Sequence, residues 1–409
     1  MPRHPLTLSL VILGLAALAA CSGAPPLPPP VLPDPSSEPL QPPAGCPSDG
    51  TATLAPDLDP VDAVTAYLNA RGNPLDLAQE LYDLGWVAPL SAFIQTDLDG
   101  DGLAEIAVGL SAPPDSESDL GLAAIYVWRC HDGTYVAAEA VSQGPLPYGA
   151  PVLQEATDLT GDGLPELIAY HPLCGAHTCF ADYLVLQWDG QTTVNRLVGP
   201  SDDLPSPEWS AERALPGRPS EISIAGRGVS SVGAGPYRIV TRTWEWDAGE
   251  EAFIPRADVV EPPRYRIHAV HDADAAFDRG DLPGSLALYE RVLNDHSLLE
   301  WPSMGGGREA LEAYAAYRSV FVYLFSDFPA AAEAEFEARF EGTGLENSPY
   351  GELARLLLTR FAEVDLEAAC AQVRQRVSAD PGSFLGALEY GYENKAYTAD
   401  DFCRPPLGR

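Results

Sequence analysis

A nine-residue acidic pattern occurs twice in this chain and restricts its fold more than any other feature of the sequence. Residues 97–105 read DLDGDGLAE and residues 158–166 read DLTGDGLPE, so the two copies begin 61 residues apart. Oxygen ligands at positions 1, 3 and 5, a backbone carbonyl at position 7 and a carboxylate at position 9 can converge on one hard cation. An EF-hand would need glutamate at position 12, where the chain has Val108 and Ala169. The pattern therefore predicts two short calcium loops in a repeated unit.

Strands rather than helices are predicted to follow each loop. Each copy continues with two apolar runs, and the second run ends at an Asp-Gly pair that is typical of hairpin turns. The predicted strands are 106–109 and 124–128 in the first unit, and 167–170 and 183–188 in the second. A third unit lacks the acidic loop but keeps strands at 221–224 and 239–246. The turn aspartates Asp132, Asp189 and Asp247 are 57 and 58 residues apart, so three β units are expected.

The acidic loop and the Ile-Ala-Val-Gly run after it resemble the FG-GAP or VCBS repeat family, whose members include the blades of integrin alpha-type β-propellers. The resemblance covers about residues 90–260 and implies one structural calcium ion in each loop. The ligands that it implies in the first loop are Asp97, Asp99, Asp101 and Glu105, with the carbonyl of Leu103. Those that it implies in the second loop are Asp158, Thr160, Asp162 and Glu166, with the carbonyl of Leu164. The second site is expected to be weaker, because Thr160 stands where an acidic or amide residue is usual.

The number of β units limits what the resemblance implies for the fold. Three units are fewer than the roughly four to eight blades of a closed propeller. We therefore expect either an open, partial propeller or units that close against another part of the chain.

From about residue 265 the pattern changes to helical periodicity in an alanine-rich composition. Small and large residues around a turn at Gly280-Asp281 resemble a tetratricopeptide repeat, and weaker copies follow with turns at Asp327 and Asp365. The resemblance implies a helical hairpin array whose concave surface binds a protein or peptide partner. A generic helical bundle is the alternative. The aromatic residues between Tyr314 and Phe328 are expected mainly in the core of this region.

The first 50 residues are typical of an exported, anchored protein. A basic start is followed by an apolar run from Leu6 to Ala20, the layout of a signal peptide. Leu18-Ala19-Ala20-Cys21 resembles the lipobox of bacterial lipoproteins, which implies a lipid on Cys21 and the loss of residues 1–20. An ordinary cleaved signal peptide is the alternative. Eleven prolines between Ser22 and Gly50 predict an extended tether at about 3.1 Å per residue.

These features define a multidomain chain in which β structure precedes α structure. The predicted segments are a signal peptide at 1–20, a lipidated cysteine with its tether at 21–50, a β region at 51–262 and a helical region at 263–409. The β region is expected to begin with two short helices within residues 60–84 that pack on the first sheet.

The remaining six cysteines are an even number, as expected for an oxidising compartment. Cys174 and Cys179 are close enough in sequence to close a small loop, although with His177 they could instead bind a metal. The other candidate pairs are Cys370 with Cys403, and Cys46 with Cys130.

Composition and motifs together limit the function classes. The net charge of −35 disfavours nucleic-acid binding, and the sequence has none of the common catalytic or nucleotide-binding motifs. His268, His271 and Asp272 form the tightest histidine group and are interpreted as a solvated helix end. The sequence predicts a non-enzymatic, calcium-braced scaffold or binding lipoprotein on the extracytoplasmic side of a bacterial membrane. The alternative is an envelope hydrolase or carbohydrate-binding protein, with a glycan site at the tips of the β repeats.

Overall fold

A computed structural model describes residues 46, 50–87, 90–111, 124–142, 149–212, 214–229, 231–302 and 304–407. The expected signal peptide, Cys21 and all of the tether except Cys46 and Gly50 lie outside these residues. Among the described helices, none combines the length and the apolar character needed to cross a membrane.

Two short helices precede the sheets, as expected. Helix α1 spans Pro60–Asn69 and helix α2 spans Pro74–Asp83. Each starts with proline at its first position, after a cap whose side chain accepts a backbone N–H: Asp59 accepts from Val61, and Asn73 accepts from Leu75.

Three antiparallel sheets follow, and each contains strands that adjoin along the sequence. The first sheet contains β1 (Phe93–Thr96), β2 (Glu105–Leu110), β3 (Ala124–His131) and β4 (Thr134–Val141) in that spatial order. The second contains β5 (Val152–Thr157), β6 (Glu166–Cys174), β7 (Cys179–Trp188) and β8 (Thr193–Asn195), also in order. The third contains β9 (Pro207–Ala211), β10 (Glu221–Gly226), β11 (Val240–Asp247), β12 (Ala252–Pro255) and β13 (Val259–Val260), with β13 paired to β11. In the described part of the chain, the sheets close into neither a barrel nor a propeller.

The inner strands β2 and β6 are buried on both faces. In β2, Ile106 and Val108 pack with residues of α1 and α2, whereas Ala107 belongs to a core shared with the second sheet. In β6, Leu167 belongs to that same core, and Ile168 contributes to a core shared with the third sheet. Because successive side chains of a strand point to opposite faces, such double burial accounts for the continuous apolar runs that follow each acidic loop.

The helical region confirms the change of periodicity near residue 265. Its α-helices are α3 (Arg266–Asp278), α4 (Leu282–Asn294), α5 (Gly307–Phe325), α6 (Pro329–Phe340), α7 (Pro349–Glu363), α8 (Leu366–Ala379), α9 (Pro381–Phe384) and α10 (Ala399–Phe402). The turns α3–α4, α5–α6 and α7–α8 contain the predicted aspartates: Asp281 and Asp365 cap α4 and α8, and Asp327 precedes α6. Tyr314, Tyr317 and Phe321 lie in the core, as expected, whereas Phe328 is 61% exposed.

The β region and the helical region contact each other through the segment before β11. The side-chain amide of Asn394 donates hydrogen bonds to the carbonyls of Ala234 and Pro236, at 3.3 and 3.1 Å. Arg238 forms an ion pair with Asp272 at the start of the helical region. The two regions are therefore joined by side-chain hydrogen bonds to backbone carbonyls and by a charge pair.

Three disulfides join the cysteine pairs expected from the sequence. They are Cys46–Cys130, Cys174–Cys179 and Cys370–Cys403, with Cα–Cα distances of 6.0, 4.0 and 5.1 Å. Since Cys174 and Cys179 are bonded to each other, they do not act as metal ligands with His177.

Candidate functional site

The first acidic loop connects β1 to β2 and is organised by its own carboxylates. Asp97 accepts hydrogen bonds from the backbone N–H groups of Gly100 and Gly102, at 2.7 and 3.0 Å. Both glycines have positive φ, of 78° and 84°, so the sequence DGDG permits the chain to wrap around the Asp97 carboxylate. Asp101 accepts from the N–H of Leu103 at 2.7 Å.

Glu105 lies at the end of this loop, where β2 begins, and its side chain is buried, with 1% exposed. One of its carboxylate oxygens accepts the N–H of Leu98 at 2.7 Å. Burial, with a smaller contribution from the nearby negative charges of Asp99 and Asp101, raises the pKa of Glu105 from 4.5 to about 7, although the hydrogen bond from Leu98 lowers it in part. Burial is also the main reason why the pKa of Asp99 is raised. The loop therefore holds acidic groups in a place where negative charge is unfavourable without a cation.

Three of the predicted calcium ligands converge. Asp97, Asp99 and Glu105 each offer a carboxylate oxygen, and these oxygens lie within 4.8 Å of one another. An all-oxygen donor set is what calcium and other hard divalent cations prefer. Asp101 and Leu103 lie in the same loop but outside this three-residue group. The residues of the first loop therefore fit the ion that the sequence predicts.

The second acidic loop, between β5 and β6, repeats the backbone but not the carboxylate cluster. Asp158 accepts from Gly161 and Gly163 at 2.7 and 3.1 Å, and Asp162 accepts from Leu164 at 2.8 Å. The Glu166 carboxylate, which corresponds to Glu105 in the first loop, accepts hydrogen bonds from within the loop instead.

Glu166 ends the second loop and is fully buried. One of its oxygens accepts the N–H of Leu159 at 2.7 Å, and the other accepts the Thr160 hydroxyl at 3.0 Å. Burial raises the pKa of Glu166, whereas these hydrogen bonds lower it. No group of three metal-ligating side chains forms here among the described residues. In the second loop, Thr160 therefore stabilises the buried glutamate by a direct hydrogen bond. In the first loop, Asp99 could stabilise Glu105 only through a shared cation.

Both loops lie where one sheet meets the next. In the second loop, backbone carbonyls of Asp158, Leu159 and Gly161 accept N–H groups from residues 214–220, which lead into the third sheet. In the first loop, Asp99 faces the hairpin turn of the second sheet so closely that a Cβ atom on Gly190 would lie 2.9 Å from its carboxylate. Their position between sheets could not be read from the loop sequences.

A buried polar cluster in the helical region could not be predicted from the sequence. Asp274 is 2% exposed and accepts hydrogen bonds from the hydroxyls of Tyr289, Tyr314 and Tyr397. The Arg318 guanidinium lies 3.5 Å from the same carboxylate. No motif marks this cluster, because its members are spread over three helices and one loop of the region.

The interpretation of His268 and His271 as a solvated helix end is wrong. His268 is 2% exposed, and its Nε2 lies 3.2 Å from the carbonyl of Pro236 in the β region. Burial lowers the pKa of both histidines to about 4. His268 is covered by the β region, whereas His271 lies beside Tyr397 of the helical region, with ring centroids 6.0 Å apart.

Comparison with known proteins does not add to this description. No family model, no curated protein and no solved structure matches the chain.

Proposed function

We propose that this chain is a non-enzymatic lipoprotein, tethered to the extracytoplasmic face of a bacterial membrane. In this proposal calcium-braced β repeats hold a helical array that binds a protein or peptide partner. The carrying observation is the convergence of Asp97, Asp99 and Glu105 at the junction between the first two sheets. A cation there would neutralise carboxylates that are otherwise forced together, and it would tie the loop to its neighbour.

The role proposed for calcium is structural. Calcium sites of extracellular modules have dissociation constants of roughly 0.1 to 1 mM, because calcium is abundant outside cells. At ten times the dissociation constant, one such site would stabilise the folded chain by about 1.4 kcal/mol. We propose the same role for the second loop, with lower affinity, since the Thr160 hydroxyl already occupies one oxygen of Glu166.

The proposed architecture is an open set of three FG-GAP or VCBS-like units followed by tetratricopeptide-like hairpins. The repeated placement of an acidic loop between the first two strands of successive sheets supports the first part. Three helix pairs with aspartate at each turn support the second part. Because Tyr314, Tyr317 and Phe321 are core residues, a partner would contact other side chains of the array.

Calcium bracing can be tested on the full-length chain by thermal unfolding in millimolar calcium and in chelator. We expect calcium to raise the unfolding midpoint, Asp99→Ala to remove most of the increase, and Asp162→Ala to remove less. Glu155→Ala is the matched control, since Glu155 is an exposed acid of β5. Equal midpoints in calcium and chelator for the unmutated chain would refute the calcium-braced repeat.

Anchoring is tested separately in cells. We expect fatty-acid label to be incorporated into the unmutated chain and the chain to sediment with membranes, and Cys21→Ala to abolish both. Labelling that persists in the variant would contradict the assignment of Cys21 as the lipidated residue.

A further inference from the structure

A groove of about 980 Å³ lies at the end of the second sheet opposite its acidic loop. Strand β6 begins at Glu166 in that loop and ends at Cys174 beside the groove. Its lining includes the side chains of Tyr170, Pro172, His177, Phe180, Tyr183 and Pro207. We call this cavity the Tyr170 groove.

The rim of the Tyr170 groove is held in place by covalent and hydrogen bonds. The Cys174–Cys179 disulfide closes the hairpin between β6 and β7. The hydroxyls of Thr178 and Ser206 lie 2.9 Å apart, and the N–H of Ser206 donates to the carbonyl of Cys179 at 2.7 Å. The hairpin is thereby fixed to the segment before β9, so a ligand would bind to a surface that is already formed.

Two tyrosine rings lie next to each other along one wall. The ring centroids of Tyr170 and Tyr183 are 5.2 Å apart, and Trp209, which is outside the lining, stacks on Tyr183 at 5.1 Å. Neither tyrosine hydroxyl has a hydrogen-bond partner among the described residues, although many other buried tyrosines of this chain do. The wall therefore combines aromatic rings, of which Tyr170 is the more exposed and Tyr183 is 7% exposed, with two hydroxyl groups that have no partner among the described residues.

Charge excludes most ligand classes from this groove. The described residues that line it include no Asp, Glu, Lys or Arg, although the chain as a whole has a net charge of −35. An anionic ligand would be repelled by the chain, and a cationic ligand would find no carboxylate in the groove. The absence of paired carboxylates in the lining also gives glycosidic hydrolysis no acid and base there.

We propose that the Tyr170 groove binds a neutral saccharide without cleaving it. Sugar rings present apolar C–H faces that stack on aromatic rings and hydroxyls that exchange hydrogen bonds with phenols, which matches the two properties of the wall. An uncharged proline-rich peptide would also use aromatic rings, and its carbonyls would accept from the phenol hydroxyls, but it has few N–H groups to donate to the phenol oxygens, whereas sugar hydroxyls both donate and accept. The inference goes beyond the proposed function and requires no calcium.

The test is calorimetric titration of the full-length chain with neutral oligosaccharides: cellohexaose, maltohexaose and chitohexaose, each in calcium and in chelator. We expect at least one to bind at a single site. Tyr170→Phe, which keeps the ring, should weaken binding several-fold, and Ala176→Trp, which fills the groove from its exposed rim, should weaken it by roughly tenfold or more. Tyr82→Ala is the matched control, because Tyr82 is 74% exposed on α2.

Unchanged thermal unfolding of Tyr170→Phe and Ala176→Trp would show that lost binding is not lost folding. Saccharide binding that is equal in Ala176→Trp and in the unmutated chain would place the ligand elsewhere and overturn the proposal. So would no binding of any of the three oligosaccharides at millimolar concentration, or binding in this groove of a neutral proline-rich peptide alone. Loss of calcium stabilisation with intact sugar binding would refute only the calcium proposal.

Discussion

Replacing Glu105 by glutamine is expected to stabilise the β region in chelator and to reduce the stabilisation that calcium adds. Glutamine keeps the shape of the side chain and an oxygen that can accept the N–H of Leu98. It removes the negative charge that burial makes unfavourable. In chelator at pH 8 the variant should therefore be more stable than the unmutated chain, whereas in calcium it should lose a ligand and be stabilised less by the ion.

The size of the effect in chelator follows from the pKa of Glu105. Glu105 has a folded-state pKa of about 7, against 4.5 for an ordinary glutamate. This difference lowers the free energy of unfolding above pH 7 by about 3 kcal/mol. Because the folded-state pKa is raised, the folded chain binds the proton more tightly than the unfolded chain does. The associated stability is fully present below pH 4.5 and is lost as the pH rises to about 7.

Thermal unfolding followed by tryptophan fluorescence reports on the β region, where Trp128 and Trp244 are buried. For a region of about 200 residues, 3 kcal/mol corresponds to an increase of roughly 6 to 12 °C in the midpoint. Glu155→Gln, which changes an exposed acid, should leave the midpoint unchanged. A Glu105→Gln variant that is less stable than the unmutated chain in chelator at pH 8 would refute the reasoning, as would an equal response of both chains to calcium.

Two further predictions concern the helical region. Asp274→Ala should destabilise it by about 3 to 5 kcal/mol, because the substitution leaves Arg318 buried without its carboxylate. Asp274→Asn should destabilise it less. Urea unfolding measures both variants, with Glu337→Ala, at an exposed position, as the control. Equal stabilities of Asp274→Ala and Glu337→Ala would contradict the role of the cluster. Because the folded-state pKa values of His268 and His271 are lowered to about 4, stability is fully present above pH 6.5 and should fall as the pH drops to about 4. The double variant His268→Gln, His271→Gln should show a shallower fall in this range by circular dichroism, and an identical pH profile would show that these histidines are not the cause.

Several features of the fold were predictable because they depend on neighbours in the sequence. Asp-Gly pairs bend the chain wherever they occur, so the turns after β3 and β7 could be located from dipeptides. Asp281, Asp327 and Asp365 mark the helix turns for a similar local reason. The outer strands β1 and β5 carry weaker patterns, since each pairs with one neighbour and is only partly buried.

The candidate site was predictable only in part. The spacing of Asp97, Asp99 and Glu105 indicated a cation loop, and the structure brings their oxygens together. The capture of Glu166 by Thr160 could not be predicted, because the threonine was expected to weaken a site rather than to satisfy the glutamate. The Tyr170 groove also had no sequence signature, since its walls come from separate strands and a hairpin.

The sequence by itself determined where the β units begin, which loops are acidic, where helices replace strands and that Cys174 can pair with Cys179. Each of these depends on backbone geometry or spacing within a short stretch. Only the tertiary structure decided which charged groups lose water: Glu105 at a sheet junction, Asp274 among three tyrosines, and His268 beneath the β region. Burial depends on segments far away in sequence, so the pKa values and the chemistry that follow from it appear only when those segments pack together.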